Sequence, residues 1–112
     1  MAKMEYTLTG RFDALLDCIH SGILSGLSAS YEDGSDWYDG AVRCSVRVYE
    51  RYSLIGSNRV SLSVTVIGNT EGQLFVSAIT SGGSQAMFFK LNTLGEESFL
   101  DKLDSIIRSF RG

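Results

Sequence analysis

The sequence predicts an α+β fold, an antiparallel sheet of four to five strands with N- and C-terminal helices packed on one face. Three observations predict it. Two stretches, one early and one at the end, repeat apolar residues at helical spacing. Several segments between them alternate apolar and polar residues, the pattern of strands buried on one side only. The resulting order, β-α-β-β-β-β-β-α, is most economically folded as an antiparallel sheet whose apolar face both helices cover.

Taken in order, Glu5–Thr9 is a short predicted strand. Phe12, Leu15, Leu16, Ile19, Ile23 and Leu27 then form one apolar helical stripe, with Asp13 and Asp17 opposite it. Asp13 falls in the first turn, where negative charge suits the helix dipole. Gly22 and Gly26 lie at the edge of the stripe. They mark either close backbone approach to a packed neighbour or the helix end. Leu27–Glu32 is a predicted strand, and the acidic, turn-rich segment 33–40 reads as a loop.

A long hairpin follows. Val42, Cys44, Val46 and Val48 share one face of its first arm, and Arg43, Ser45, Arg47, Tyr49 and Arg51 share the other. On the second arm Val60, Leu62, Val64 and Val66 oppose Arg59, Ser61, Ser63 and Thr65. Placing all the apolar positions together requires paired residues with an even sum, which a loop of Ile55-Gly56-Ser57 satisfies. After a tight connection at 68–72, Gln73–Ser81 is a strand with Leu74, Val76 and Ala78 inward and Phe75 and Ile79 outward. Gln85–Leu91 reads as a last strand. Thr93-Leu94-Gly95-Glu96 is a capping box, and Phe99, Leu100, Leu103, Ile106, Ile107 and Phe110 form the stripe of the final helix.

Bulk properties narrow the function classes. The chain has 112 residues, 44% hydrophobic and 21% charged, which fits one folded domain spanning 1–112. A net charge of −3 argues against a general nucleic-acid binder. No stretch approaches the ~18 apolar residues of a membrane span, and no apolar run follows Met-Ala-Lys-Met-Glu as an export leader would. With no such leader, Cys18 and Cys44 suit a reducing cytoplasm better than a disulfide framework.

The candidate sites are surfaces and loops. If the helices cover the valine face of the hairpin, then Arg43, Arg47, Tyr49 and Arg51 lie on an open face. With Phe75, Ile79 and Phe88 nearby, that face reads as solvated surface, homodimer surface or anionic-ligand site. Ser81, Gly82, Gly83, Ser84 and Gln85 form a small-residue loop. It is plainly a turn, or an anion-binding nest. Gly82-Gly83-Ser84-Gln85-Ala86 narrowly misses a nucleophile elbow, whose fold is larger and whose His follows the Ser. His20, the one histidine, lies at the edge of the first helix stripe as a partly buried structural residue or a pocket group. Cys44 is expected in the core and Cys18 exposed. Asp33, Asp36 and Asp39 do not match an EF-hand loop. Trp37-Tyr38 either contacts a partner or folds onto the core edge. Glu50 shares the valine face and is expected to reach solvent at the strand end.

At Val46-Arg47-Val48-Tyr49-Glu50-Arg51-Tyr52, Ile79-Thr80-Ser81-Gly82-Gly83-Ser84-Gln85 and Phe88-Phe89-Lys90-Leu91-Asn92-Thr93 the chain resembles an uncharacterised family of short intracellular Firmicutes proteins, a domain of unknown function. The resemblance implies a bacterial cytoplasmic protein and carries no activity, cofactor or catalytic residue. Three functional expectations follow in order. The first is a non-enzymatic homodimeric module. The second is a small anionic-ligand binder with a pocket near Ser81–Gln85 and His20. An enzyme comes last. Neither a metal nor a cofactor is expected, nor a nucleic-acid or membrane partner.

Overall fold

The computed structural model describes residues 1–25, 29–53, 58–82 and 89–111 and, within these, the side chains of all but residues 53, 58 and 89–98. Strands β1 (Ala2–Thr9), β2 (Ala29–Asp39), β3 (Val42–Ser53), β4 (Asn58–Asn69) and β5 (Gln73–Gly82) form one antiparallel sheet in the order β1-β5-β4-β3-β2. Helix α1 (Phe12–Leu24) follows β1, and α2 (Phe89–Ser109) closes the chain. The α+β class holds, with five strands.

Two elements differ from expectation. Segment 33–40 is mostly strand, because β2 runs on to Asp39 against the whole of β3. Residues 89–91, expected in a strand, begin α2, so the helix starts upstream of Thr93. The rest of that expected strand, 85–88, lies outside the described residues, as do the Ile55–Ser57 loop and Gly26.

The core lies between one face of the sheet and the two helices. Leu15, Ile19 and Ile23 of α1 and Phe99, Leu100, Leu103, Ile106 and Ile107 of α2 pack on Leu62, Val64, Val66, Leu74, Val76 and Ala78. At Gly22 a Cβ would stand 2.6 Å from Ile106 Cδ1. The glycine therefore lets α1 and α2 approach closely, at some cost in helix propensity. Tyr6 ties β1 to α2 by donating to Asp104 Oδ1 at 2.7 Å, and Arg108 holds the same carboxylate at 2.7 Å.

The register of β3 on β4 decides the rest. Tyr49 pairs with Leu62, Arg47 with Val64, Ser45 with Val66 and Arg43 with Gly68. These sums are odd, whereas the sequence pattern called for even ones. A one-residue change of register sends every side chain of a strand to the other face. Arg43, Ser45, Arg47, Tyr49 and Arg51 accordingly share the helix-covered face with the apolar residues of β4. Val42, Cys44, Val46 and Val48 point away from the helices. The expected open face and the expected core face of β3 are exchanged. Tyr49 and Ser45 are fully buried, whereas Cys44 is half-buried on the outer face and Cys18 packs against the core.

Strand β2 carries its own change of phase. Tyr31 pairs with Tyr49 and Asp33 with Val48, so Glu32 is an extra residue at a β-bulge. Beyond it Gly34, Asp36 and Tyr38 face the helix side, and Ser35 and Trp37 face outward.

Single substitutions on β3 test this facing. Val46→Asp should leave the far-UV circular dichroism and the cooperative unfolding of the chain intact. Ser45→Asp should abolish cooperative unfolding, because an unpaired carboxylate would be buried. The opposite ranking would restore the even-sum register.

Candidate functional site

Two regions collect the side chains able to bind something. The first lies on the helix side of β2 and β3. Tyr49 projects from mid-strand under α1, and its hydroxyl hydrogen-bonds His20 Nδ1 at 2.9 Å. Tyr31 packs edge-on to His20 with ring centroids 5.3 Å apart, and 5.8 Å from Tyr49. The bulge and Gly34 allow this, since a Cβ on Gly34 would meet Tyr31 Oη at 2.5 Å and Val46 O at 2.8 Å. Tyr31 thus lies along its own strand, over the glycine and beside Arg47. Burial pushes the Tyr49 phenol up to about 12.

Two of the three arginines expected on an open surface, Arg43 and Arg47, are held here by carboxylates. Arg43 donates to Asp13 at 2.9 Å and stacks 4.4 Å above the centroid of Phe12. Its guanidinium holds the Asp13 carboxyl below the usual range. Arg47 reaches Asp36 at 3.1 Å and the carbonyl of Val46 at 3.3 Å. The Ser45 hydroxyl, directly across the strands, and Arg47 hold Asp36 low. Ser45 Oγ is itself fully buried and faces Asp36 across the strands without a regular hydrogen bond. Arg51 pairs with Ala29 and Val60 towards the end of the strands on this side.

The structure brings the expected site residues together only in part. Gly82 sits in the row of Val60 and Arg51, one step beyond the row of Tyr49, so these and His20 share one end of the helix-covered face. Its backbone has φ +116, and a Cβ there would meet Arg59 O at 2.6 Å, so only glycine fits. Ser81 pairs with Ser61 and faces the other side of the sheet. Gly83, Ser84 and Gln85 lie outside the described residues. Among the described residues no group of three His, Cys, Asp or Glu side chains is placed to hold a metal.

The second region is the outer face, which neither helix covers. One row crosses all five strands as Thr7, Phe75, Ile67, Cys44 and Trp37. The outward positions of β3 continue it lengthwise with Val42, Val46 and Val48. Ile79 adds apolar surface on β5. Trp37 is 57% exposed, Ile79 40% and Ile67 37%. Charge is confined to the margins. Lys3 and Glu5 lie on β1, Asp33 and Asp39 on β2, and Glu50 pairs with Arg59 at 2.8 Å at one strand end. Glu50 thus reaches the rim, as expected. A shallow cleft of about 350 Å³ runs between Thr7, Val42, Ile67 and Phe75 at one end of the apolar row.

Sequence reasoning expected Phe75 and Ile79 on the open face but assigned the β3 valines to the core. One signal pointed the other way. The stripe Val42–Val48 continues into Glu50 and Tyr52, whereas the alternate stripe centres on Tyr49, the larger residue to bury.

The Tyr49 environment has a consequence at high pH. Its phenol stays protonated in the folded chain to about 12 but titrates at 10 when unfolded. Its stabilisation is therefore complete below pH 10 and is lost between pH 10 and 12. Stability from urea unfolding should fall across that window. In Tyr49→Phe the fall should be smaller by roughly 2 kcal/mol, with Tyr6, also raised by burial, supplying the remainder. An unchanged slope in Tyr49→Phe would contradict the assignment.

Comparison with known proteins adds the following. The description "family of unknown function (DUF6054)" matches residues 1–111. None of the curated proteins matches the chain. The solved structures it resembles include TTHA0849 from Thermus thermophilus, at 10% identity and a TM-score of 0.30, covering 96% of this chain and 97% of that one. Another is the major latex-like protein 151 from Panax ginseng, at 11% identity and a TM-score of 0.28, covering 95% and 94%. Neither likeness is close enough to assign the fold. Among the described residues no helix is long and apolar enough to cross a membrane.

Proposed function

The chain belongs to DUF6054, a family of unknown function, and on that premise we propose that it is a non-enzymatic module that self-associates as a homodimer through the open face of its sheet. The observation that carries this is the uncharged band on that face, the β3 stripe crossed by the row from Phe75 to Trp37. A sheet face left to water is normally polar along alternate residues. An apolar centre inside a charged rim is instead the anatomy of an interface.

Size supports the same reading. Five strands ~4.8 Å apart and ~3.3 Å of rise per residue over the Val42–Glu50 rows give about 600 Å² per copy. Two copies would bury about 1,200 Å², the lower end for a specific association. A second copy also has the right shape, because two sheets of equal twist stack face to face with aligned strands. The two free thiols are consistent with a reducing cytoplasm. Cys18 on α1 and Cys44 on the outer face lie on opposite sides of the sheet.

The anionic-ligand reading has less to rest on. Arg43 and Arg47, its best cations, are each engaged by an aspartate.

Sedimentation equilibrium tests the proposal. The chain of 12.3 kDa should reach twice that mass at micromolar concentration. Ile67→Asp, on the exposed centre of the apolar row, should be monomeric with an unchanged circular dichroism spectrum. A wild-type monomer at millimolar concentration, or an Ile67→Asp dimer of wild-type strength, would contradict it.

A further inference from the structure

We infer that the two-fold axis of this dimer runs along β4, so that β2 of each copy lies over β1 of the other and Lys3 faces Asp33 of the second copy. The inference rests on the open-face reading and adds the way the two faces meet.

Two in-plane axes give full overlap of the faces, one along the strands and one across them. In a two-fold interface every contact off the axis occurs twice, so a misplaced charge there is penalised twice. The row Glu5, Ser77, Thr65, Val46, Ser35 crosses the middle of the outer face. An axis along that row would stack each β1 on its copy, setting Glu5 against Glu5 and Asp33 of β2 against Trp37. An axis along β4 exchanges the two edges of the sheet. Each outward residue then meets a residue of its own row from the opposite side. Val48 falls over Ile79, Cys44 over Phe75, and Lys3 over Asp33, while Ser61, Ser63 and Thr65 on the axis meet their own small copies. The one like-charged meeting is Arg59 with its own copy at the far end of the axis, where Glu50 already holds each guanidinium at 2.8 Å.

Two stacked sheets cross at about −30°. At the edge strands, ~10 Å from the axis, this displaces rows by roughly 5 Å, within reach of the lysine stem. Lys3 is available for such a contact, since its Nζ lies 4.0 Å from Glu5, the outer limit of an ion pair.

Charge exchange tests the arrangement. Both positions are exposed, so the variants should fold, as circular dichroism will verify. In low salt Lys3→Asp and Asp33→Lys should each raise the dimer dissociation constant about three- to tenfold, since each variant places two like-charged contacts in the dimer. The double variant Lys3→Asp/Asp33→Lys should return to within about twofold of wild type. At ~0.5 M salt the losses should shrink towards nothing, because screening leaves little of an exposed pair. A loss caused by local damage to the bulge would persist there. Wild-type dimers unaffected by either single change, or a double variant no better than the singles, would overturn the β4 axis while leaving self-association standing. A wild-type monomer would overturn the reading on which it rests.

Discussion

The pairing of Tyr49 with Leu62 is the constraint from which the other features follow. It fixes which side of β3 the helices see. With Tyr49 inward, the largest fully buried side chain fills the space beneath α1, and its hydroxyl must find a partner there. His20, next to the buried Ile19 and about one turn before the buried Ile23, supplies it. The same register places Ser45 beneath the helix side and leaves Arg43 and Arg47 near its margin. There their long stems can lie along apolar surface while the guanidinium groups reach Asp13 and Asp36. On the outer side it aligns the valines of β3 with Ile67, Phe75 and Trp37. The core and the open face are two consequences of one register.

The division of labour between the helices fits this. The apolar stripe of α2 lies on β1, β4 and β5, whose inward residues are almost entirely apolar, and α1 lies on β4 and β2, with Tyr49 and Arg43 of β3 reaching it. The β2–β3 half therefore has an inner face of mixed character, with a buried tyrosine, a buried serine and two ion pairs. A sheet that invests its polar residues on the inside of one half is left with apolar residues outside. The bulge at Glu32 serves the same end. By changing the phase of β2, it turns Trp37 outward into the row of Cys44 and Ile67, and turns Asp36 inward to Arg47.

Much of this was legible in the sequence. The α1 and α2 stripes, the inward set of β5 with Phe75 and Ile79 outward, and the half-buried His20 follow from local periodicity; close approach is one of two readings of Gly22, and Glu50 reaches the rim by lying near its strand end, on the opposite face from the one alternation assigns. What periodicity does not carry is phase between strands. Both arms of the β3–β4 hairpin alternate cleanly, and alternation reports two faces without saying which face of one strand joins which face of the next. The connection between Ser53 and Asn58 sets that, and its length shifts the sum of paired residues from even to odd. The acidic segment 33–40 reads as a loop for a related reason. Gly34 and the aspartates weaken strand propensity, yet pairing along the whole of β3 overrides it. Arg43, Arg47, Tyr49 and Arg51 were singled out correctly as a group on one face; the face itself was the wrong one.

The facing of β3 can be measured directly in solution by nuclear Overhauser effects. Close backbone contacts between Val46 and Thr65 and between Val48 and Ser63, together with contacts from the Tyr49 ring to His20 and Leu62, are the predicted result. Backbone contacts pairing Val48 with Val64 and Val46 with Val66, with the Tyr49 ring remote from His20, would contradict the account.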